Sequence, residues 1–347
     1  MSKREDFVLA GETVAAGQRK QVRIPAVRLY TNTPVDLVVD VIHGRRPGPV
    51  LLVTAAMHGD ELNGVEICRQ LARRKLLQNL RGTLLLVPVV NTLGYIQQSR
   101  YLPDRRDLNR CFPGWANGSL GGRLAYIIRT ELLSVATHVI DLHTGAIHRS
   151  NLPQIRADLD DETTLEMAEA FGVPVIIDSK TRDGSFRECA ADQGVPLILY
   201  EAGEALRLDN AAIKAGVRGI QRVMRALSML PVNQKPRKNA DKQPDIKPVQ
   251  VRRSYWVRAD CDGMVVSSVP LGRRVAEDEV LCTLAGPFDS ELRQIRAPSA
   301  GIIIGATQIP VVNEGEALMH VAEFSRLQSA ETSVNNFQER FVDEEVG

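Results

Sequence analysis

The chain has 347 residues, with 43 lysines and arginines against 42 aspartates and glutamates, so its net charge at pH 7 is +1. This length exceeds one typical domain and suffices for a large core. The balanced charge argues against bulk attraction to nucleic acid or membranes, and we expect neither as a partner. Five widely spaced cysteines without a Cys-x-x-Cys motif argue against a disulfide framework. Neither a signal peptide nor a run of about 18 apolar residues is evident, so we expect a cytoplasmic protein.

The first 230 residues have the pattern of an α/β domain. Residues 1–45 alternate like β-strands, with a turn at Asn32-Thr-Pro. After residue 48, short apolar runs alternate with longer helical patterns, which is typical of a largely parallel or mixed sheet flanked by helices. The apolar runs are 50–57, 83–90, 137–142, 173–178 and 195–200, and the helical patterns are 62–77, 119–134, 160–171 and 209–229.

The remainder of the chain is predicted to form a second unit. Residues 231–249 are rich in proline and charge and have the composition of a linker. Residues 250–323 contain many turn signals and no convincing helix, which predicts a smaller all-β domain. Residues 324–347 are polar and acidic, and we expect a loosely ordered tail.

The predicted β domain contains an internal near-repeat. Asp262-Gly-Met-Val-Val is echoed by Ala300-Gly-Ile-Ile-Ile, and each is followed by a similar segment ending in leucine, at Leu281 and Leu318. Two such halves resemble the barrel-sandwich fold of biotinyl and lipoyl carrier domains. The connection between the halves, which begins Ala285-Gly-Pro-Phe, lacks the carrier's lysine, so we favour a structural or capping module over a carrier.

Two histidines and a glutamate are the strongest candidates for chemistry. His58 and Glu61 are three residues apart, where an apolar strand gives way to a predicted helix, so their side chains can share one face. In isolation this pair is also compatible with a helix cap and a loop histidine. The position along the fold favours a site, because His143, Asn91 and Glu201 also follow predicted strands, and sites form at such strand ends. Imidazole and carboxylate ligands suit Zn²⁺.

Two acidic residues accompany these candidates. Asp141 lies two residues before His143, on the same strand face, and could orient that histidine or bond to backbone. Glu201 ends an apolar strand, where a carboxylate beside zinc-activated water can act as general base and then acid. An ordinary loop glutamate is the alternative for Glu201, and Glu204 is a competitor.

The segment 99–114 concentrates cationic side chains. Four arginines fall within eleven residues, and the segment ends in Pro-Gly. Guanidinium groups bind carboxylates in a bidentate manner and stabilise developing oxyanions. This density predicts a substrate that carries at least one carboxylate. The arginines are Arg100, Arg105, Arg106 and Arg110.

Four motifs together resemble the succinylglutamate desuccinylase/aspartoacylase family, whose members are relatives of the zinc carboxypeptidases. The motifs are His58-Gly-Asp-Glu61-Leu-Asn-Gly64, Asp107-Leu-Asn-Arg110-Cys-Phe-Pro-Gly114, Asp141-Leu-His143-Thr-Gly and Tyr200-Glu201-Ala-Gly. They occur in the family's order and cover residues 50–205. The resemblance implies a carboxypeptidase-like α/β fold with one Zn²⁺ per chain, bound by His58, Glu61 and His143.

The resemblance also implies roles for the remaining candidates. Glu201 would be the general base and acid, and Asn109 and Arg110 would bind the substrate's carboxylate. The carbonyl-polarising arginine corresponds to Arg100, although the spacing leaves Arg105 and Arg106 as alternatives, and Arg106 is a further candidate for binding substrate. The C-terminal β domain would narrow the entrance.

The predicted activity is therefore hydrolysis of a small N-acyl amino acid. A carboxypeptidase-like peptidase or an esterase would use the same site, and a non-catalytic binding protein would keep only its scaffold. The identities of the acyl group and of the amino acid stay open, as does the choice between a monomer and a homo-oligomer.

Overall fold

The computed structural model describes residues 4–231, 246–288 and 291–342, so most of the predicted linker, 232–245, lies outside the described residues. The strands are β1 (Phe7–Leu9), β2 (Glu12–Val14), β3 (Arg19–Arg28), β4 (Pro34–His43), β5 (Arg46–Ala55), β6 (Arg81–Val87), β7 (His138–Gly145), β8 (Arg149–Ala157), β9 (Val175–Asp178), β10 (Leu197–Glu204), β11 (Val249–Val251), β12 (Arg253–Arg258), β13 (Gly263–Ser268), β14 (Arg274–Val275), β15 (Val280–Ala285), β16 (Arg293–Arg296), β17 (Gly301–Thr307), β18 (Val311–Val312) and β19 (Ala317–Glu323). The helices are α1 (Asn63–Ala72), α2 (Thr92–Ile96), α3 (Leu120–Ile127), α4 (Glu162–Phe171), α5 (Phe186–Asp192), α6 (Asn210–Ala226) and α7 (Leu327–Phe341).

A mixed sheet organises the molecule. Its centre consists of four parallel strands in the order β10, β7, β5 and β6. Antiparallel strands flank them: β4 and β3 lie beyond β6, and β8 lies beyond β10. Because the four central strands are parallel, their carboxyl ends meet at one edge, where the residues that follow them can converge. The predicted α/β class is confirmed.

Helices cover both faces of the central sheet. On one face, α1, α4 and α6 pack in a core that contains Ile67, Phe171 and Ile220. The Asp209 side chain caps α6 by accepting a hydrogen bond from the amide of Ala212. Gly219 lets α6 approach closely, because a Cβ built there would lie 2.3 Å from the Phe171 ring. Leu124 of α3 and the α5 residue Phe186 belong to the core on the other face.

The C-terminal β region has the predicted two-fold repeat. β13, β14 and β15 correspond to β17, β18 and β19, and each half lends its short middle strand to the other: β14 pairs with β17, and β18 with β13. This exchange is the barrel-sandwich-like arrangement that the near-repeat predicted. The region also continues the large sheet, since β17 pairs with β8, with Gly305 opposite Asn151. It is therefore joined to the central sheet by backbone hydrogen bonds.

The prediction of a loosely ordered tail is wrong for most of residues 324–347. Residues 327–341 form α7, and its Val334, Phe337 and Phe341 are buried. Their spacing of three and four residues places them on one face of the helix, which packs against α6 and β17. The high polarity of the segment belongs to the opposite face and misled the interpretation.

Two further observations concern the whole described chain. All five cysteines have free thiols. Within residues 4–231, 246–288 and 291–342, no helix combines the length and apolarity needed to cross a bilayer.

Candidate active site

His58 and Glu61 lie in a tight turn at the carboxyl end of β5. The amide of Glu61 donates a hydrogen bond to the carbonyl of His58, with a distance of 3.2 Å. Helix α1 begins only at Asn63, so both residues lie in the turn that precedes it, between the strand and the helix. The turn nevertheless brings the side chains of His58 and Glu61 together, although the two residues are not part of the helix.

Glu61 holds the two histidines together. Its Oε1 lies 2.6 Å from His58 Nδ1, and its Oε2 lies 2.8 Å from His143 Nδ1. One ligand atom from each residue falls within 4.8 Å of the others. All three side chains are buried. The structure thus brings together the three predicted metal ligands, which come from two separate strand ends.

Each histidine has a carboxylate behind it. Asp141 Oδ2 lies 2.7 Å from His143 Nε2, and the Thr54 hydroxyl donates to Asp141 Oδ1 over 2.6 Å. Asp107 Oδ1 lies 3.1 Å from His58 Nε2. A carboxylate on the outer nitrogen fixes the imidazole tautomer and leaves the inner nitrogen free to bind a metal. The contact supports the interpretation that Asp141 orients His143 over the alternative that it bonds to backbone.

The charges in this cluster shift its protonation equilibria in opposite directions. Burial alone would lower the pKa of both histidines, but Glu61 and the outer carboxylates raise it above its usual range. Burial alone would raise the pKa of Glu61, but the two imidazoles hold it well below its usual range. The cluster therefore stabilises the ionised form of Glu61 and the protonated forms of the two imidazoles.

These residues fit a divalent metal. Two imidazole nitrogens and a carboxylate oxygen are the donors of catalytic zinc sites with three protein ligands. The inner nitrogens face Glu61, and the outer nitrogens already have partners. One donor atom from each of the three residues therefore lies close enough to the others to share one ion.

The three arginine candidates are placed differently. Arg100 Nη1 lies 3.7 Å from Glu61 Oε1, and Arg100 Nη2 pairs with Asp107 over 2.8 Å. The Arg106 side chain is 60% exposed and pairs with Asp104 on the surface, and Arg105 is exposed as well. Neither lines the cleft beside the cluster. Arg106, which was predicted to bind substrate, thus lies on an exposed loop outside the lining of the cleft.

The cluster lies at one wall of a cleft of about 260 Å³, hereafter the catalytic cleft. Asn109 and Arg110, which were predicted to bind the substrate's carboxylate, line this cleft. The Asn109 carboxamide oxygen accepts a hydrogen bond from the amide of Phe186 over 2.8 Å. Arginine dominates the lining, whereas Glu61 and Glu201 are the acidic residues. The arginines are Arg100, Arg110, Arg149, Arg156, Arg182 and Arg187.

Glu201 is held by three donors from the neighbouring strand. Asn151, Gln154 and Arg156 of β8 donate to its Oε2 over 3.0, 3.4 and 3.0 Å, and we call them the three-donor clamp. Glu201 and His143 are opposite each other on the adjacent strands β10 and β7. Oε1 of Glu201 accepts no hydrogen bond from the described residues, so one oxygen is anchored while the other is available.

Residues 47–227 match the catalytic domain of the succinylglutamate desuccinylase/aspartoacylase family. This segment is more than half of the chain and contains the metal cluster and Glu201. The chain belongs to this family. The match ends at residue 227, so it does not include the C-terminal β region.

Similar proteins extend the likeness beyond the catalytic domain. An N-alpha-acetyl-L-2,4-diaminobutyric acid deacetylase of Halomonas elongata is 26% identical over 293 residues, which cover 80% of this chain and 83% of the relative. A solved succinylglutamate desuccinylase/aspartoacylase from Rhodobacter sphaeroides has a TM-score of 0.76 at 24% identity, covering 88% of this chain and 95% of that one. The product-bound ectoine utilization protein EutE (DoeB) from Ruegeria pomeroyi has a TM-score of 0.76 at 21% identity, covering 88% and 94%. The likeness to the solved structures confirms the fold.

Trp256, on β12 of the C-terminal β region, also lines the cleft. Its indole stacks on His320 with ring centroids 4.8 Å apart, and the Arg149 guanidinium carbon lies 5.3 Å from the indole centroid. Sequence reasoning missed Trp256, because the strand β12 that bears it lies some 50 residues beyond the last motif.

The hydrogen-bond partners of the predicted site residues are not evident from the sequence. Asp107 was noted only as part of a motif, although it contacts both His58 and Arg100. The three-donor clamp lies on β8, which was not predicted as a strand because of its proline and its polar residues. Asn91, considered with the strand-end candidates, caps α2 by accepting a hydrogen bond from the amide of Gly94.

Proposed function

We propose that this protein is a zinc-dependent amidohydrolase that cleaves the amide bond of a small N-acyl amino acid. The observation that carries the proposal is the juxtaposition of a buried His58–Glu61–His143 cluster with a carboxylate, Glu201, in one small arginine-lined cleft. Membership of a deacylase family supports the reaction class.

Zinc would be held by His58, Glu61 and His143. When bound there it supplies a Lewis acid for the acyl carbonyl and acidifies water at neutral pH. Asp107 and Asp141 would keep both imidazoles in the orientation that the ion requires, because each already lies within hydrogen-bond distance of an outer nitrogen.

The chain's own residues can carry the proton transfers and stabilise charge. Oε1 of Glu201, to which no described residue donates a hydrogen bond, would take a proton from water and return it to the departing amine. The three-donor clamp keeps the other oxygen in place, so the free one is directed consistently. Arg100, which lies beside Glu61, would donate to the oxygen of the acyl group as that oxygen becomes negative.

The charge of the cleft supports an anionic substrate. Six arginines face two glutamates in the lining. Arg187 Nη1 is buried and has no hydrogen-bond partner in the described structure, and burial together with Arg156 and Arg182 lowers the Arg187 pKa. A carboxylate would relieve the repulsion among these guanidinium groups. Asn109 and Arg110 would bind a carboxylate of the amino acid.

The same charge bears on the choice of amine half. The relative from Halomonas elongata is named for a diaminobutyrate derivative, whose side chain carries an ammonium group. An excess of arginine disfavours an ammonium group on the substrate, so we expect acidic or neutral amino acids to be preferred. A volume of about 260 Å³ lies just below the roughly 300–1,000 Å³ usual for ligand pockets, which supports small substrates over peptides.

The first experiment combines elemental analysis with a substrate screen. Purified protein, loaded with zinc, should be assayed on N-acetyl and N-succinyl derivatives of aspartate, glutamate and diaminobutyrate, with dipeptides and simple esters in parallel. We expect one zinc per chain and turnover of acyl amino acids. Faster cleavage of dipeptides or esters would favour the peptidase or esterase alternative. No metal and no hydrolysis in any arm would favour a binding protein.

Two substitutions separate metal binding from proton transfer. Glu201→Gln should retain zinc and lose most turnover, because the amide cannot accept the proton, whereas His143→Ala should lose both zinc and turnover. Glu204→Gln is the matched control, since Glu204 is a nearby glutamate on the same strand and does not line the catalytic cleft. A near-wild-type rate for Glu201→Gln would reject the role of Glu201.

A further inference from the structure

A second cationic region lies at the pole of the molecule opposite the catalytic cleft. Two grooves of about 560 and 620 Å³ adjoin each other there, because both are lined by Arg45 and Gln78. They lie at the amino ends of β5 and β6, whereas the catalytic cluster follows the carboxyl end of β5. We call the two together the polar-end groove.

The polar-end groove has an unusual charge. Its lining includes no aspartate or glutamate among the described residues, although the chain has 42 acidic residues against 43 basic ones. Six of its cationic side chains are exposed, and none of them has an ion pair or a hydrogen bond from its side chain within the described structure. They are Arg45, Arg46, Arg73, Arg74, Lys75 and Arg81.

Among the described residues, acidic neighbours do not neutralise these six cationic side chains. Asp40 forms a bidentate pair with Arg19, which also lines the groove. Glu66 acts on Arg73 at a distance, but its hydrogen bonds go to Arg69 and Gln70. The remaining cations share the lining of the two adjoining grooves, where like charges repel one another without a counter-charge.

Helix dipoles explain the positions of only some of these cationic side chains. Arg73 and Arg74 follow the C-terminus of α1, and Arg225 lies in the last turn of α6, where a cation is stabilised by the helix dipole. Arg46 and Arg81 begin β5 and β6, and Arg45 directly precedes β5, so the dipoles of α1 and α6 do not account for them. Arg225 Nε is also buried without a hydrogen-bond partner in the described residues, although Arg225 lines the groove.

The lining indicates the chemistry of the ligand. Several guanidinium groups close together suit the oxygens of a phosphate group, because each guanidinium can donate a pair of hydrogen bonds to them. No phenylalanine, tyrosine or tryptophan lines either groove in the described part of the chain, so a nucleobase would find no aromatic ring to stack on, as single-stranded nucleic acids usually do. We propose that the polar-end groove binds a small, multiply phosphorylated anion.

The test uses the zinc-loaded full-length protein and fructose 1,6-bisphosphate as the probe, with inorganic phosphate and glutarate as comparisons. Isothermal titration calorimetry should show binding of the bisphosphate that weakens in 0.5 M NaCl. Arg45→Ala/Arg81→Ala should weaken it at least tenfold. Arg28→Ala/Arg252→Ala, which removes the same charge from exposed positions elsewhere, should bind like the wild type.

Hydrogen exchange locates the bound probe independently of the variants. Protection should appear in residues 43–48 and 73–82. Protection confined to the catalytic cleft, absence of binding by the wild type, or equal losses in the groove and control variants would each overturn the proposal. Tighter binding of glutarate than of the bisphosphate would overturn the assignment to phosphate.

Discussion

The three-donor clamp on Glu201 gives the sharpest prediction about catalysis, through the variant Arg156→Met. Methionine keeps much of the length and volume of the arginine stem but removes the Nε donor and the charge. Arg156 does not contact the metal cluster, so zinc content should be unchanged. Asn151 and Gln154 would still donate to Oε2 of Glu201, so the carboxylate should become less well oriented but should not be displaced.

The expected magnitude follows from the geometry of the pair. A hydrogen bond to a charged group contributes about 1.5–3 kcal/mol. The Arg156 and Glu201 side chains are 21% and 20% exposed, so solvent reduces the interaction and the low end of that range applies. A loss of about 1.5 kcal/mol in positioning would lower kcat roughly tenfold.

A double-mutant cycle decides whether Arg156 acts through Glu201. Steady-state kinetics should be measured for Arg156→Met, Glu201→Gln and the double variant. If the clamp only positions Glu201, the double variant should be no slower than Glu201→Gln, because there is no base left to position. Additive losses, or a large rise in KM with unchanged kcat, would show that Arg156 binds the substrate directly and would refute the reasoning.

Three further outcomes are expected. Asp141→Asn should weaken zinc binding roughly 10- to 100-fold by losing the charged partner of His143, measured by chelator competition; unchanged affinity would contradict the orienting role. Removing the metal with a chelator should lower the midpoint of thermal unfolding, since a ligand of the folded state stabilises it, and added zinc should restore it; an unchanged midpoint would argue against a bound ion. Burial, with the charge of Arg156, lowers the pKa of His320 to about 4, so the folded state keeps this histidine neutral. Stability should therefore fall from pH 6.5 towards pH 4, by about 3 kcal/mol in total. His320→Phe should reduce that slope in urea titrations; an identical slope would contradict the assignment.

The local patterns predicted the central elements well. The strand-end positions of His58, His143 and Glu201 could be read from sequence, because apolar runs of parallel strands end at the same edge of the sheet. The helical patterns were also visible, since α6 buries residues three and four apart along its length. These predictions needed only local periodicity and one rule of sheet topology.

The features that the sequence did not reveal depend on distant partners. α7 is polar over most of its surface, and only its packing against α6 and β17 reveals the buried face. Arg106 and Arg100 are equivalent by composition, and the conformation of one loop decides which of them reaches the cluster. The three-donor clamp lies on a strand whose pattern is obscured by Pro153, and its function depends on the register with β10.

The join between the two parts of the chain falls on the strand that holds Glu201. β8 pairs with β10 on one side and with β17 of the C-terminal region on the other, and Asn151 takes part in both pairings. A Cβ at Gly305 would lie only 3.0 Å from the Asn151 carboxamide oxygen, so this glycine permits the close approach. Trp256, from the same region, forms part of the wall of the cleft. The C-terminal region is therefore not a detached cap, because its backbone pairing supports the strand that holds Glu201 in place.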